Sequence, residues 1–215
     1  MEKSMNFLLV AVFCVIAIHC IEGHLYFGSC PELLTAENFK VSDIEGTWYE
    51  IEALGSFIER RFTKCNSPKF ITKSEDKVNV EYSRVSWPAG RIVSKGFGKV
   101  LKDGQLELFF SLPGVGMQSF QYHILAIEKD SYAVAWSCTQ LPLMHMQKAW
   151  ILSRNTSLDN ATLDKVHDIV EFNGLNRNSF VKVKQTNCQT GTNEDEENLI
   201  EDEDLGSAIE NVMER

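Results

Sequence analysis

Beyond its first two dozen residues this chain has no apolar run of the roughly 20 residues that a helical membrane span needs. It has no C-x-x-C pair, which removes the common zinc and thiol-redox spacings. G-x-S-x-G, H-E-x-x-H, the P-loop and the glycine-rich dinucleotide fingerprint are all missing, so the familiar hydrolase, metalloprotease and nucleotide signatures are excluded. His24, His123, His145 and His167 do not fall at metal-ligand spacing. Basic residues form no stripe, so nucleic acid is not an expected partner. Heptads and long internal repeats are absent too. The chain reads as a protein without catalytic residues, not an enzyme, with no metal site and no required cofactor.

What is present starts with an address. Lys3 is the only base in Met1–Asn6, and Phe7 to Ile18 is an apolar run of about a dozen residues, the length of a signal-peptide core. Residues 1–23 are therefore expected to be a signal peptide, cleaved near Gly23 or just after Cys20, and the mature protein to be secreted and extracellular. Cys14 and Cys20 leave with it. Cys30, Cys65, Cys138 and Cys188 remain, an even number in an oxidising compartment, which predicts two disulfides with three pairings open. Residues 24–190 suffice for one domain with a sizeable core. From Asn193 to Arg215 there are ten acidic residues and one basic, while the preceding 192 residues carry twenty of each sign. Residues 191–215 are thus expected to be an acidic, disordered tail, suited to weak cation binding or a basic partner.

Between Gly46 and Arg154 short β-type runs, separated by turn signals, predict strands near 46–54, 66–73, 77–85, 90–101, 105–111, 118–129, 132–139 and 148–154. Tight polar turns near 74–76, 102–104 and 129–131 interleave with longer connections near 55–65, 86–90, 112–117 and 140–147. An antiparallel meander places these two kinds at opposite ends. The fold class is therefore all-β: an eight-stranded antiparallel up-and-down barrel, with room for side chains or one small ligand. One C-terminal α-helix, 160–172, carries Leu163, Val166, Ile169 and Val170 at helical spacing and packs outside. Asp159 or Asn160 caps its start and Gly174 its end. Phe180 to Lys184 reads as a short edge strand.

At the tight-turn end, Gly46-Thr47-Trp48 opens the first strand and Arg154 closes the last, so indole and guanidinium can stack to seal the bottom. The long loops are apolar, with Phe57, Trp87, Leu112, Met117, Met144 and Met146 at one rim. Either they fold inward as a lid, or they form a mouth that admits or touches a greasy ligand.

These residues resemble the lipocalin family, and within it the apolipoprotein D and insect bilin-binding group. Gly46-Thr47-Trp48-Tyr49-Glu50 matches the first family signature and Arg154 the third. Asp130-Ser131-Tyr132 matches the second loosely, departing from Thr-Asp-Tyr. Cys30-Pro31, Trp136-Ser137-Cys138-Thr139 and Ala149-Trp150-Ile151-Leu152-Ser153-Arg154-Asn155 resemble the same group, and the likeness runs from about Cys30 to Cys188. The resemblance implies Cys30 paired with Cys138, Cys65 paired with Cys188, and Trp48 packed under Arg154. It also implies that Trp150 and Phe70 line a pocket for a small hydrophobic ligand: a fatty acid, sterol, retinoid, carotenoid or bilin, carried or sequestered. The alternative partner is a lipid surface or receptor, met by the apolar open-end loops.

With Cys138 facing outward, period two turns Ala133, Ala135, Ser137 and Thr139 inward, and small inner residues leave space. Arg154 facing in puts Leu152 and Trp150 on the same face. Lys148, in register with Trp150, offers a cation near the mouth to a carboxylate or propionate. Tyr122 and His123 are adjacent, so only one points inward; Phe109 and Phe110 pose the same choice. Glu50 and Glu52 read as ordinary strand residues. Asn155-Thr156-Ser157 and Asn160-Ala161-Thr162 are glycosylation sequons, making Asn155 and Asn160 the candidate acceptors.

Overall fold

The computed structural model describes residues 24–54, 62–87, 89–112 and 116–188, without the side chains of His24 and Leu112. The expected signal segment, the acidic tail and the rim residue Phe57 lie outside the described residues. By compactness the chain divides into residues 1–185 and 186–215; the barrel belongs to the first, and only residues 186–188 of the second are described. The elements are β1 (His24–Phe27), α1 (Val41–Ile44), β2 (Gly46–Thr47), β3 (Tyr49–Leu54), β4 (Thr63–Thr72), β5 (Lys77–Ser86), β6 (Gly90–Lys102), β7 (Gln105–Leu112), β8 (Gly116–Glu128), β9 (Tyr132–Gln140), β10 (Met144–Ser153), α2 (Asn160–Phe172), a 3-10 turn (Arg177–Ser179) and β11 (Phe180–Lys182).

Consecutive strands from β4 to β10 pair antiparallel. β2 and β3 are two ends of one strand parted at Trp48. The first bonds β4 and the second bonds β10, so the sheet closes on itself. Counted as one stave, β2 and β3 join β4 to β10 in the eight-stranded barrel that the alternation predicts. β11 lies outside it on β3, the edge strand anticipated after the helix. β1 was not anticipated: it pairs with β10, from His24 opposite Gln147 to Phe27 opposite Met144.

That extra strand corrects one boundary. The last barrel strand begins at Met144, not near 148, because residues 144–147 have hydrogen-bonding partners on both sides, β9 and β1. Met144 and Met146 are therefore strand residues, not members of a long loop.

The N-terminal arm runs down the outside of the wall. The Gly28 amide donates to the Leu143 carbonyl (3.1 Å), and the Cys30 amide to Gln140 Oε1 (2.8 Å). Cys30 is bonded to Cys138. Further along, the Thr35 hydroxyl donates to the Asp103 carbonyl and the Ala36 amide to the Ile124 carbonyl, both 2.8 Å. The arm then turns under the barrel, where Phe39, Val41 and Ile44 are buried with Trp48.

Helix α2 begins where Asp159 accepts from the Thr162 amide (3.0 Å), and the chain turns at Gly174 with φ of 76°. Val166 and Val170 are buried with Leu54, Val134, Ile151 and Phe180 on the barrel's outer face. Burial of each valine stabilises the docked helix by about 1.5–3 kcal/mol. His167 Nε2 meets Glu52 Oε2 at 2.8 Å in the same interface.

Candidate ligand-binding site

The floor is built at the tight-turn end. Trp48 is fully buried and donates from Nε1 to the Ile44 carbonyl (2.7 Å). The Arg154 guanidinium lies 3.6 Å from the centre of the Trp48 ring, donating from Nε to the Lys129 carbonyl (2.7 Å) and from Nη1 to the Thr47 carbonyl (3.0 Å). Gly46 has φ of 90°, and a Cβ there would stand 3.3 Å from Arg154 Nη1. Glycine at this position thus serves both the left-handed backbone and the approach of the guanidinium. Leu152 caps the floor from above, fully buried.

Above Leu152 the wall changes character. Along β10 the outward residues His145, Gln147, Ala149 and Ile151 are buried, while inward Met144, Met146, Lys148 and Trp150 keep accessible surface. In a solid barrel the order is reversed, because inner side chains fill the core. Here the arm beyond β1 and helix α2 cover the outside of β10, while its inner residues above Leu152 keep accessible surface. Register places Trp150 opposite Ala135, Lys148 opposite Ser137 and Leu152 opposite Ala133, so β9 presents small side chains to the tryptophan. Tyr122 bridges the interior, its ring 5.4 Å from Trp150 and 6.2 Å from Phe70. The structure thus brings Trp150, Tyr122, Phe70, Ala135, Ser137, Leu152 and Lys148 to one inner surface.

The adjacent-aromatic choices resolve by parity. Tyr122 faces in; His123 faces out, its ring 5.2 Å from Trp136. Burial, and then the charge of Lys102, hold the His123 pKa below its ordinary value. Phe110 faces in with Leu106 and Leu108, whereas Phe109 stacks outside on Phe97 at 5.0 Å. Gly96 and Gly98 lie opposite Phe110 and Leu108. A Cβ on Gly96 would come within 2.7 Å of the Phe110 ring, and one on Gly98 would strike Leu108. These glycines let two large inner side chains lie across β6.

Sequence reasoning missed a polar stretch of the inner wall. A bulge at Ile51 sets Glu50 opposite Leu152 but Glu52 opposite Ile151, so the two buried carboxylates point to opposite faces. Glu52 takes His167 outside. Glu50, 3 % exposed, lies inside, where Asn66 Nδ2 donates to its Oε2 (2.9 Å). Asn66 Oδ1 is buried without a hydrogen-bond partner. Burial, and then the negative charge of Glu50, push the Tyr122 hydroxyl pKa above the range where it ionises in water. Strand parity could have found Asn66 from Phe70 and Glu50 from Trp48; the bulge that turns Glu52 to the outer face has no sequence signal.

The rim residues separate. Trp87 is 74 % exposed at the end opposite the floor and stacks on Phe62, with ring centres 6.3 Å apart. Leu143 and Phe27 are 79 % and 89 % exposed beside one another. Met144 and Met146 line the inner wall. Met117 pairs with Ser111 on the outer face of β8, and Leu112 ends β7 opposite Gly116. Asn155 and Asn160 are both exposed. Cys65 and Cys188 are each held in a disulfide.

A closed eight-strand barrel sealed at one end by tryptophan and arginine and flanked by one helix is the lipocalin architecture. Residues 39–185 match the family model of the lipocalin-like domain, and the chain belongs to that family. Among its relatives is apolipoprotein D of Mus musculus, 31 % identical over 170 residues that cover 77 % of this chain and 87 % of that protein. The Lazarillo protein of Schistocerca americana is 25 % identical, covering 73 % of this chain and 75 % of its own length. Insecticyanin from the tobacco hornworm Manduca sexta shares the fold with a TM-score of 0.69 at 23 % identity, covering 78 % of this chain and 93 % of that one. These relatives place the chain in the apolipoprotein D and insect bilin-binding group. Proteins of this family bind small hydrophobic molecules and are generally not enzymes.

Proposed function

We propose that this protein is secreted and that it carries or sequesters one small hydrophobic molecule in the barrel, between Leu152 and the open end. The observation that carries this reading is the reversed burial along β10: covered outside, accessible inside. Trp150, Tyr122 and Phe70 supply apolar contact, and Ala135 and Ser137 leave the space beside them. Burial of ligand surface drives binding at roughly 25 cal/mol per Å², while the few inner polar groups set orientation. Fatty acids, sterols, retinoids, carotenoids and bilins are the candidate classes. Titration of tryptophan emission with members of each class tests the reading. Quenching that disappears in Trp150→Phe, with ligand-induced thermal stabilisation retained, is expected. No response of emission or melting to any class would falsify it.

A second reading rests on the rim. Trp87 stacked on Phe62, together with Leu143 and Phe27, offers exposed apolar surface to a lipid layer or a receptor. Methionines 144 and 146 do not test this, since they line the wall. A Trp87→Ser, Leu143→Ser double variant does. Loss of sedimentation with phosphatidylcholine vesicles, at unchanged ligand affinity, marks the rim as a docking surface; unchanged sedimentation dismisses it.

A further inference from the structure

We infer that Arg84 is the anion-recognition residue of this barrel, and that the molecule it selects is an apolar chain or ring system bearing a carboxylate. The inference deepens the carrier reading and rests on it.

The placement follows from register. Phe70 pairs with Val80, and both belong to the inner core. β5 runs without interruption against β6 from Lys77 to Ser86, so period two carries the inner face from Val80 through Tyr82 to Arg84. Arg84 therefore stands two inner positions, about 13 Å, above the Phe70 level on the way to the open end. Below it the wall is mostly apolar, with Val78, Val80, Phe70, Tyr122 and Trp150, and its buried carboxylate, Glu50, is held by Asn66.

Its partners are what single it out. A guanidinium is always charged and carries five N–H donors. Among the described residues none accepts from Arg84 or pairs with its charge, and its Nε is buried with no acceptor. Buried donors are nearly always satisfied, so this one marks a place where another group belongs. The neighbouring strand bends around the spot. Lys64 pairs with Val85 and Ser67 with Ser83, leaving Cys65 and Asn66 together opposite Arg84. Cys65 takes φ of 60° in this bulge. Bulges of this kind re-aim side chains at functional walls. Asn66 spends its amide on Glu50 and leaves its own carbonyl oxygen unpartnered. An orphaned donor and an orphaned acceptor thus lie on adjacent strands of the same inner wall without satisfying each other.

A carboxylate fits the planar fork of arginine with two parallel hydrogen bonds, which an alcohol or a hydrocarbon does not. Fatty acids, acidic retinoids and the propionates of bilins carry this group; sterols and hydrocarbon carotenoids do not. The apolar remainder would then run down toward Trp150 and Tyr122.

The test compares oleic acid with oleyl alcohol, which differ at the head group alone, by tryptophan emission and thermal shift in wild type, Arg84→Met and Arg84→Lys. Wild type is expected to bind the acid about 10-fold or more tighter than the alcohol, the worth of a charge-assisted pair. Arg84→Met should weaken the acid alone and erase the preference, with Arg84→Lys recovering part of it. Equal binding of acid and alcohol by wild type overturns the assignment, as does an Arg84→Met variant that weakens both alike. Should Arg84→Met fail to fold, the wild-type preference and Arg84→Lys still decide. If neither probe nor any other ligand class binds, the carrier reading itself falls, a result distinct from loss of preference.

Discussion

His123 and Tyr122 are neighbours with opposite fates, and the difference governs how the barrel responds to pH. Tyr122 points inward, its hydroxyl held un-ionised by burial and by Glu50. His123 points outward against Trp136, and burial plus Lys102 keep its pKa below the ordinary 6.5. The unfolded chain therefore binds a proton at pH values where the folded chain does not. Stability from this residue is complete above about 6.5 and falls as pH drops from there toward the folded pKa. Chemical denaturation between pH 7.5 and 5 is expected to show a smaller loss of stability in His123→Gln than in wild type. Identical slopes for the two proteins would mean that His123 is not the group responsible. Arg84 belongs to the same scale: continuing the alternation Val78, Val80, Tyr82 one step further puts it on the inner face. Its lack of a partner, however, needs atomic positions.

At the scale of elements, the arm is the piece that ties outside to inside. It pairs with β10 as β1, is bonded through Cys30 to Cys138, and ends beneath the floor at Ile44. The bridge spans a sequence separation of 108, so its loss frees a long loop in the unfolded chain. A Cys30→Ser, Cys138→Ser double variant is expected to lose about 2–4 kcal/mol by urea denaturation. It should also show faster amide exchange at Gly28 and Ala36 than in wild type, whereas unaltered exchange there would show that the strand pairing alone holds the arm. Most elements were legible because their signals are local. Alternation marked β5 and β7, the 3.6-residue stripe marked α2 from Asn160 to Phe172, and Asp159 supplied its cap. β1 was not legible, since four residues ahead of a glycine form a strand only because β10 offers an edge. The start of β10 was misplaced for the same reason. Tertiary pairing decided both.

For the whole molecule, the floor and the accessible inner wall of β10 are separable, and that separation is the strongest consequence of the fold. Trp48, Leu152 and the partly exposed Arg154 form a seal that contributes stability and lies below the accessible wall. Trp150 stands on that wall, and Ser137 is buried on the adjacent strand, opposite Lys148. Arg154→Met removes a cation–π contact and leaves the Lys129 and Thr47 carbonyls without their donors, at an expected cost of about 2–4 kcal/mol. It should leave the affinity for any barrel ligand within about 3-fold, since a site distant from the change keeps its contacts. Ser137→Leu acts on affinity. It adds bulk beside Trp150 without touching the seal, so affinity should fall about 10-fold or more through lost ligand volume, while the larger side chain at a buried position costs about 1–3 kcal/mol of stability. Ligand at 100 times its dissociation constant should in turn raise the stability of wild type and Arg154→Met equally, by about 2.7 kcal/mol. Isothermal titration and thermal melts on the same samples check all three quantities. If Arg154→Met lost affinity in proportion to its stability, or Ser137→Leu bound as wild type does, the accessible wall would not be where the ligand sits.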